Sequence, residues 1–409
     1  MIRKAFFIVT TAVLIVAVFA GLVSALDVRD ATLVKANLEN VRAYAAANHA
    51  AAVNYAVDNG QLFAGRPGEW RQVNTPADVI VGAVALDSAR PGTLYIGAAN
   101  DLTVYRSTDS GKGWMRVPLT SEFVGGVTAL AVDSVNHLVY AGTDTAGVFR
   151  LRDVGTSMIA GGHTPISEPV VQVATDNTGA GLAFVRTPMT LYRAENGGME
   201  WSEVENLGST PTALAIANSY PATVYVGTTD RGLLSSRDGQ EWTMANDGLG
   251  LVPGSRLKVD ALSIDPAQLD VMYVATSYIY GASEYHQSPV GVAMTTNGAG
   301  SWSLLAGDTQ NVMAELLPMS GQTGAVYGLT VGSRTPQALG SAPVIAETQV
   351  AAVTPAPATN TNVLAWIVAG LAALALGFAL FTDAVRRSKA VRPVKQTAPT
   401  MRPQTANGR

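Results

Sequence analysis

Leu94-Tyr95-Ile96-Gly97 is the segment that best indicates the fold, because close copies of it recur along the chain. The copies are Val139-Tyr140-Ala141-Gly142, Val224-Tyr225-Val226-Gly227, Met272-Tyr273-Val274-Ala275 and Val326-Tyr327-Gly328. Together with Tyr55 and Phe184, they place an aromatic residue in an apolar run at spacings of about 40 to 54 residues, the period of a four-stranded propeller blade. Units of this length bury their apolar faces by stacking on copies of themselves. The repeat therefore predicts an all-β fold, a seven-bladed β-propeller.

Each repeat divides into four short strands, A to D, and the fifth repeat is the clearest example. Residues 212–217 alternate small and apolar side chains and predict strand A, followed by strand B at 223–228 and strand C at 233–236. Trp242 opens strand D. Gly, Asp, Asn and Pro separate these strands, which is typical of propellers.

The seventh repeat lacks an outer strand of its own. It keeps residues 312–317 and the strand at Tyr327 but has no tryptophan turn. A propeller commonly completes one blade from both chain ends, which removes an open sheet edge. Residues 30–38 are therefore predicted to donate the missing strand to the seventh blade. A six-bladed ring with residues 312–339 as an appendage is the alternative.

The turn between strands C and D carries the most specific motif, Ser107-Thr108-Asp109-Ser110-Gly111-Lys112-Gly113-Trp114. Ser and Asp side chains hydrogen-bond to the backbone of such turns, and Gly provides a conformation closed to other residues. Trp then covers the hairpin. The further copies are 194–201 with Asn196, Gly198 and Trp201, 236–242 with Ser236, Asp238, Gly239 and Trp242, 295–302 with Thr295, Asn297 and Trp302, and a decayed copy at 151–158. All these motif residues are predicted to be structural.

With this motif the chain resembles the Asp-box (bacterial neuraminidase repeat) β-propellers over most of residues 30–340. Within these it is most similar to the photosystem II assembly-factor and sortilin-like branch. The resemblance implies a propeller but says little about function, because Asp-box turns are scaffold elements remote from the functional face. The assembly-factor likeness also implies a candidate role in the assembly of a membrane complex.

The two ends of the chain predict membrane attachment. Residues 1–25 contain Arg3, Lys4 and an uninterrupted apolar run, which predicts a signal peptide or, if uncleaved, a signal anchor. Residues 363–382 are apolar and uncharged and precede a basic tail at 383–409, which predicts a transmembrane helix with a cytoplasmic tail.

Between these ends lies the part of the chain that is expected outside the cytoplasm. Residues 26–341 are the predicted propeller ectodomain, and the Ala-, Pro- and Thr-rich segment 342–362 predicts an extended stalk. The expected location is the cell membrane, with one pass, or with two passes if the N-terminal segment is retained.

Charge and composition exclude several classes of function. The whole chain has 27 basic and 31 acidic residues. Nine basic residues but only one acidic residue lie at the two ends, which leaves 18 basic and 30 acidic residues and a formal charge of about −12 in the exported part. Nucleic-acid binding needs a basic surface. The chain has no cysteine, which excludes thiol catalysis. Neither a metal nor a cofactor is expected, because His49, His137, His163 and His286 lack metal-ligand spacing.

A sialidase-like enzyme is the sharpest alternative that the family offers. Such an enzyme needs an arginine triad, a tyrosine nucleophile with a glutamate, and an aspartate acid/base, and it carries an Arg-Ile-Pro signature that this chain lacks. Arg42, Arg66, Arg186 and Arg256 could still converge, although nothing in the sequence selects them. The leading expectation is a non-enzymatic, membrane-anchored scaffold, without catalytic residues, that binds a protein or peptide partner outside the cytoplasm. A glycan-binding or sialidase-like propeller is the alternative.

One segment departs from the repeat and is the candidate binding site. Residues 278–289, between strands B and C of the sixth repeat, stand where other repeats have a turn of two or three residues. Loops on a rigid scaffold often carry function, and tyrosines suit a binding contact. The candidate partner-binding residues are Tyr278, Tyr280, Glu284, Tyr285 and His286. The alternative is a loop that folds back on its own blade.

Overall fold

Seven antiparallel sheets, one for each predicted repeat, make up the fold in the computed structural model. The structure describes residues 35–48, 53–66, 69–195, 197–250, 252–281, 284–307 and 309–344. Within these residues the regular structure is almost entirely β-strand, with one short 3-10 helix at Glu205–Leu207. The predicted seven-bladed β-propeller is confirmed.

The strands follow one another along the chain, blade by blade. Blade one contains β1 (Lys35–Ala36), β2 (Val41–Ala45), β3 (Asn54–Asp58), β4 (Gln61–Gly65) and β5 (Trp70–Gln72). Blade two contains β6 (Val81–Leu86), β7 (Leu94–Ala98), β8 (Thr103–Ser107) and β9 (Met115–Pro118). Blade three contains β10 (Val127–Asp133), β11 (Leu138–Thr143), β12 (Val148–Asp153) and β13 (Met158–Thr164). Blade four contains β14 (Gln172–Thr175), β15 (Ala183–Arg186), β16 (Leu191–Glu195) and β17 (Glu200–Glu203).

The remaining three blades continue in the same order. Blade five contains β18 (Pro211–Ala217), β19 (Thr223–Thr228), β20 (Leu233–Ser236) and β21 (Thr243–Met244). Blade six contains β22 (Arg256–Asp265), β23 (Gln268–Tyr280), β24 (His286–Thr295) and β25 (Ser303–Gly307). Blade seven contains β26 (Met313–Pro318), β27 (Ala325–Thr330) and β28 (Gln337–Gly340).

The antiparallel order of strands A to D gives the ring two distinct faces. Strand A starts where strand B ends, so the D–A and B–C connections share one end of the inner strands, which we call the D–A face. The A–B and C–D turns share the other end, which we call the C–D face. The predicted motif turns belong to the C–D face, and the hairpin tip of blade six belongs to the D–A face.

The recurring aromatic residue explains how neighbouring blades are joined. From strand B of one blade its side chain reaches the C–D turn of the next blade. Tyr140 Oη donates a hydrogen bond to Gly197 O at 3.2 Å. Tyr225 Oη donates to Gly298 O at 3.0 Å. Both rings are buried, so each hydroxyl satisfies its bonding need at the blade interface rather than in water.

The glycine that follows the aromatic residue in the repeat is required by close packing. A Cβ at Gly142 would lie 2.3 Å from Cγ1 of Val170 in the next blade, and a Cβ at Gly97 would lie equally close to Val127. Real Cβ atoms do not approach other carbons so closely, because the interior is already packed to contact distance. The glycine therefore sets how near two consecutive blades can come.

Within the described residues, blades one and seven share no strand, so the strand donation predicted from residues 30–38 is wrong for residues 35–38, and residues 30–34 lie outside the described part of the chain. β1 pairs with β5 at the outer edge of blade one, and blade seven keeps three strands within the described residues. Leu38 is buried in one cluster with Leu317, Tyr327 and Leu329 of blade seven. The segment that leads into blade one is thus held by burial of an apolar side chain between two blades. The six-bladed alternative is also wrong, because β26 to β28 form a seventh sheet.

Polar contacts complete this closure at both faces. Ser320 Oγ donates to Ala47 O at 2.6 Å at the C–D face. At the D–A face the Arg334 guanidinium donates to Val41 O and to Glu315 Oε2, the latter at 2.8 Å. Burial raises the pKa of Glu315 to about 7, and the neighbouring Arg334 offsets only part of this effect. The closing interface therefore contains a carboxyl group that titrates near neutral pH.

Hydrogen bonds between A–B turns also link consecutive blades around the C–D face. Ser134 N donates to Asn177 Oδ1 at 2.7 Å, and Asn177 N donates to Asn218 Oδ1 at 2.9 Å. Between blades five and six the described residues contain no such link. There, Gly232 N donates to Leu257 O at 2.8 Å, on the D–A side. This interface therefore has a backbone hydrogen bond at the face that carries the blade-six hairpin, in addition to the bond from Tyr225 to Gly298 at the C–D face.

The predicted membrane-attachment segments, 1–25 and 363–382, lie outside the described residues, as does the tail at 383–409. The stalk at 342–362 is described only as far as residue 344. In the described part of residues 35–344, no helix is long and apolar enough to cross a membrane.

Candidate functional site

The sixth blade carries a hairpin that is longer than its equivalents in the other blades. Its first three strands have 10, 13 and 10 residues. The prediction of an irregular loop over 278–289 is wrong, because the strand ladder continues through most of it. Tyr278 pairs with Ser288, and Tyr280 pairs with His286. Of the residues between Tyr280 and His286, 282–283 lie outside the described part of the chain.

One face of this hairpin is aromatic, because directly paired residues on neighbouring strands point the same way. Leu257, Tyr278 and Ser288 form one cross-strand row on this face. Tyr280 and His286 form the next row, and their ring centroids lie 5.5 Å apart. Leu257 is buried, whereas Tyr280 is 45% exposed. We call these five residues the aromatic face.

The opposite face of the hairpin carries a polar network at its base. The Asp260 side chain is only 2% exposed and lies 3.1 Å from Lys258 Nζ. Gln287 Nε2 donates to Asp260 Oδ1 at 2.8 Å, and Ser277 Oγ donates to Asp260 Oδ2. Burial raises the pKa of Asp260, and these bonds oppose that effect. A buried polar network whose members are all bonded rigidifies the elements that it joins, so the hairpin projects from a fixed base.

A cavity of about 300 Å³ lies between the aromatic face and the connection from blade five to blade six. Its lining consists of Val252, Pro253, Gly254, Ser255, Tyr278, Tyr280 and Ser288. One wall is therefore the aromatic face, and the other is an irregular segment of backbone with small and apolar side chains. Concave sites with apolar and aromatic walls and a few hydroxyl groups are typical of ligand binding.

The wall formed by the blade-five connection is anchored by a tryptophan of blade six. Trp302 N donates to Asp247 O at 2.8 Å, and Trp302 Nε1 donates to Ala245 O at 2.9 Å. Leu249 is buried in the same hydrophobic cluster as Trp302. Because Trp302 and Leu249 are both buried, the stretch of backbone that leads into the cavity wall has a defined position.

The turn at the tip of the hairpin lies beyond the cavity. The Tyr285 ring is 68% exposed, and the Arg256 guanidinium sits 4.9 Å from its centroid. Arg256 also pairs loosely with Asp230, at 3.8 Å. Glu284 is exposed on the same turn. Of the five predicted partner-binding residues, the structure thus brings Tyr278 and Tyr280 into the cavity, stacks His286 against Tyr280, and leaves Tyr285 and Glu284 on the rim.

The motif turn of blade two is a self-contained hydrogen-bond unit. Ser107 Oγ donates to Asp109 Oδ1 at 2.8 Å and accepts from Gly111 N at 2.8 Å. Asp109 Oδ1 also accepts from Gly113 N at 2.9 Å and Lys112 N at 3.0 Å. The bonds from the Gly113 amide and the Ser107 hydroxyl lower the pKa of Asp109, because they favour the charged carboxylate.

The other motif turns repeat this bonding with substitutions. Ser236 Oγ donates to Asp238 Oδ1 at 3.0 Å and accepts from Gly239 N at 2.8 Å. Thr295 Oγ1 donates to Asn297 Oδ1 at 2.6 Å. In the blade-four turn, Asn196 lies outside the described residues, and the Gly198 amide donates to Glu195 O at 2.9 Å.

The predicted structural tryptophans pack backwards, onto the preceding blade. Trp114 Nε1 donates to Asn74 O at 2.8 Å, and Trp201 meets Tyr140 edge-on with centroids 5.8 Å apart. Trp242 belongs to a hydrophobic cluster with Phe184 of blade four. Together with Trp302, these side chains fill the interfaces that the tyrosines enter from the other side.

The four arginines considered for an enzyme site do not form one cluster. Arg42 begins strand A of blade one, whereas Arg66 follows strand C of that blade and lies towards the opposite face. Arg186 belongs to blade four, where its Nε donates to Gln172 Oε1 at 3.2 Å and burial lowers its pKa to about 10. Arg256 belongs to the hairpin of blade six. Among the residues that the structure describes, no group of three His, Asp or Glu side chains is arranged to hold a metal ion.

Sequence reasoning missed the second wall of the cavity, at Val252, Pro253, Gly254 and Ser255. The available signal was the length of the connection between β21 and β22, which runs from 245 to 255. Its glycines and proline indicate irregular backbone, but nothing local shows which surface such a segment packs against.

Known proteins resemble this chain in fold rather than in sequence. No protein-family model and no curated protein sequence matches it. The GH74 xyloglucanase of Xanthomonas campestris is similar with 18% identity and a TM-score of 0.54, covering 73% of this chain and 52% of the enzyme. The GH74 enzyme of Niastella koreensis is similar with 16% identity and a TM-score of 0.55, covering 75% and 52%. The chain thus spans about half the length of these enzymes.

A third similar structure is YCF48 bound to a D1 peptide. It shows 13% identity and a TM-score of 0.52, and the match covers 75% of this chain and 95% of YCF48. At identities this low, the structural similarity shows a shared propeller fold alone, and this fold hosts unrelated functions. Function therefore has to be argued from the site itself.

Proposed function

We propose that this protein is a non-enzymatic propeller, anchored in the cell membrane, that binds a protein or peptide partner outside the cytoplasm and serves as a binding or assembly scaffold. The observation that carries the proposal is the hairpin of blade six with its adjoining cavity. It is the place where the repeat is interrupted by a longer element, and that element presents aromatic side chains beside an open concave surface.

The chemistry of this surface suits recognition rather than catalysis. Tyrosine provides a large contact area with little loss of side-chain entropy, and it is enriched among residues that dominate binding energy. The bonded network around Asp260 holds the hairpin before a partner arrives, which lowers the ordering cost of binding. YCF48, a similar fold, binds a peptide, which is consistent with a peptide partner for this chain.

The finer assignments belong to the same proposal. The bonding of Ser107, Asp109 and Gly111 supports membership of the Asp-box propellers, closest to the assembly-factor and sortilin-like branch. The apolar segments at 1–25 and 363–382 support a signal or anchor and a membrane-spanning helix, with the tail at 383–409 in the cytoplasm.

A shortened hairpin tests the proposal directly. Residues 279–287 are replaced by Asn-Gly in the full-length protein, because a two-residue turn of this type closes the pair formed by Tyr278 and Ser288. The original and the shortened protein are each cross-linked to their neighbours in membranes of the source cells and then purified in detergent. The captured partners are compared by mass spectrometry. We expect the shortened protein to fold, to melt at a somewhat lower temperature than the original because the buried Asp260 loses its bond from Gln287, and to lose the partner that the original captures.

Leu304→Ala provides the matched control. Leu304 belongs to the outer strand of the same blade, is 65% exposed and does not line the cavity, so this variant should capture the partner normally. Recovery of the same partner in equal amount by the shortened protein would place the binding site elsewhere and contradict the proposal.

A further inference from the structure

The walls of the blade-six cavity bear no charged or amide side chain. Its seven lining residues contribute two tyrosine rings, two serines, a valine, a proline and a glycine. Arg256, at the start of the hairpin, is already engaged by the Tyr285 ring and by Asp230. A charged ligand group buried in this cavity would lose its hydration without gaining an opposite charge, which is costly. The cavity is therefore suited to a neutral group.

The spacing of the two tyrosines defines the shape of the group that fits. Tyr278 and Tyr280 are two residues apart on β23 and both line the cavity. Side chains at this separation on one strand face stand about 7 Å apart. Since van der Waals contact between carbon atoms is about 3.5 to 4 Å, one saturated ring or aliphatic side chain fills the gap and contacts both rings.

Four side-chain hydroxyls line the cavity, and one of them, Ser255 Oγ, donates to Val252 O at 2.7 Å. In the described part of the chain, the hydroxyls of Tyr278, Tyr280 and Ser288 make no hydrogen bond to other protein groups. Each can donate one bond to a ligand. A ligand that offers carbonyl acceptors and few donors would match this set.

The uncharged lining, the gap between the two tyrosines and the unpaired hydroxyl donors together match a peptide in the polyproline II conformation. Its backbone makes no internal hydrogen bonds, so its carbonyls remain free to accept. Proline contributes no N–H that would need an acceptor, and its saturated ring is neutral and compact. The conformation also exists before binding, which reduces the entropic cost, and aromatic-lined grooves are the surfaces that recognise it.

We infer that the cavity beside the blade-six hairpin binds an uncharged, proline-containing segment of a partner protein in the polyproline II conformation, with a proline ring between Tyr278 and Tyr280. The inference rests on the proposed function, because it names the class of peptide that the same site takes. A neutral glycan fits the lining less well. Sugar rings present many hydroxyls that need acceptors as well as donors, and the cavity provides no carboxylate or amide side chain for them.

Fluorescence anisotropy of the full-length, detergent-solubilised protein tests the inference. The probes are a fluorescein-labelled Pro-Ala peptide of ten residues, a labelled Ser-Gly peptide of equal length, and a labelled neutral xyloglucan oligosaccharide. We expect saturable binding of the Pro-Ala peptide only. Tyr280→Ala should weaken it by at least about tenfold, in the range of a strong interface contact. Tyr280→Phe should weaken it less, because the ring remains and one donor is lost.

Leu304→Ala is again the matched control and should bind the Pro-Ala peptide like the original protein. Failure of the Pro-Ala peptide to bind, equal binding of the Ser-Gly peptide, preferential binding of the oligosaccharide, or an unchanged Tyr280→Ala variant would each overturn the inference. If the shortened hairpin still loses its cross-linked partner in that case, the proposed function stands without it. If the Pro-Ala peptide binds but the shortened protein keeps its partner, the proposed function fails instead.

Discussion

The two faces of this propeller are built on different principles. At the C–D face the same contacts recur from blade to blade: a turn closed by Ser and Asp, a tyrosine from one side and a tryptophan from the other. At the D–A face the connections differ in length and sequence, and one of them is extended into a hairpin with an adjoining cavity.

Because the two faces are built differently, they should tolerate different sequence changes. The tyrosine contacts at the C–D face satisfy buried hydroxyls and the tryptophans fill packed interfaces, so that an altered side chain there leaves an unpaired group or a void. The D–A face around blade six leaves hydroxyls and ring surfaces unused within the protein. Changes at the first face should therefore cost stability, and changes at the second should cost binding.

Trp302→Ala is expected to have the largest effect on stability and, unlike other changes at the C–D face, to affect binding as well. Trp302 is 6% exposed and also anchors the segment that lines the cavity. Its loss should lower the free energy of unfolding by about 4 kcal/mol, as for other buried aromatic residues, and should also weaken peptide binding in the folded fraction. Denaturant unfolding and anisotropy on the same samples measure both. Unchanged binding would show that the cavity wall holds without this anchor.

Trp201→Ala is the cleaner test of the C–D face. Trp201 packs edge-on against Tyr140 between blades three and four, far along the chain from the hairpin. We expect a loss of about 3 kcal/mol of stability with no change in partner capture. A Trp201→Ala protein that folds normally but loses its partner would mean that the motif turns are themselves a functional site.

Leu38→Ala tests how the ring is closed. Leu38 is 4% exposed and lies in one cluster with blade-seven residues, so its truncation should lower stability by about 2 kcal/mol through the cavity that it leaves. Limited proteolysis should then cut first near the interface of blades one and seven. Leu304→Ala, on an exposed outer strand, serves as a comparison and should change the unfolding midpoint little.

Glu315→Gln should alter the pH dependence of stability at the same interface. The pKa of Glu315 is raised from 4.5 to about 7 by burial, so the folded protein binds this proton more tightly than the unfolded chain does. The contribution of this group to stability is therefore greatest below about pH 4.5 and declines as the pH rises to about 7. Thermal melts at pH 5 to 8 should show a smaller decline for Glu315→Gln than for the original protein. Parallel pH profiles for the two proteins would contradict this assignment.

Tyr280→Ala should have the smallest effect on stability. Tyr280 is 45% exposed, and its ring lies beside that of His286 at a tilt of 30° and lines the open cavity, so the unfolding free energy should change by less than about 0.5 kcal/mol, as for other surface positions. Denaturant unfolding checks this. A large loss of stability would show that the hairpin tip contributes to folding, and the contrast between the faces would then be weaker.

The blade count was predictable from the sequence because it depends on a local, repeated signal. Each aromatic residue marks one strand B, and the spacing counts the blades without any knowledge of distant contacts. The closure was not predictable in the same way. Leu38 finds its partners almost 300 residues later in the chain, and β1 has only two residues, too few for a periodic pattern.

The hairpin shows a second limit of prediction from sequence, because its strand pattern is present but contains a conflicting residue. Ser277-Tyr278-Ile279-Tyr280 suits a strand, whereas Pro289 in the returning segment argues against one. Pro289 is tolerated because the described pairing between β24 and β25 begins only at Gly291, so the outer side of β24 has no described partner at Pro289. A proline is compatible with a strand where its nitrogen faces no neighbouring strand. The sequence alone does not show that β24 has a free outer edge at Pro289.

The contact between aromatic residue and turn gives the blades that make it a front and a back. Blade three sends Tyr140 forward into the C–D turn of blade four and receives Trp201 from that blade in return, so these blades are joined head to tail, like the subunits of a cyclic oligomer. A heterologous interface of this kind does not itself fix the number of units; the rotation per step does. Duplication of a single repeat would leave each pairwise interface intact and strain only the rotation angle from one blade to the next. Blades one and seven are the one neighbouring pair that the chain does not connect directly, so such a ring would open between them.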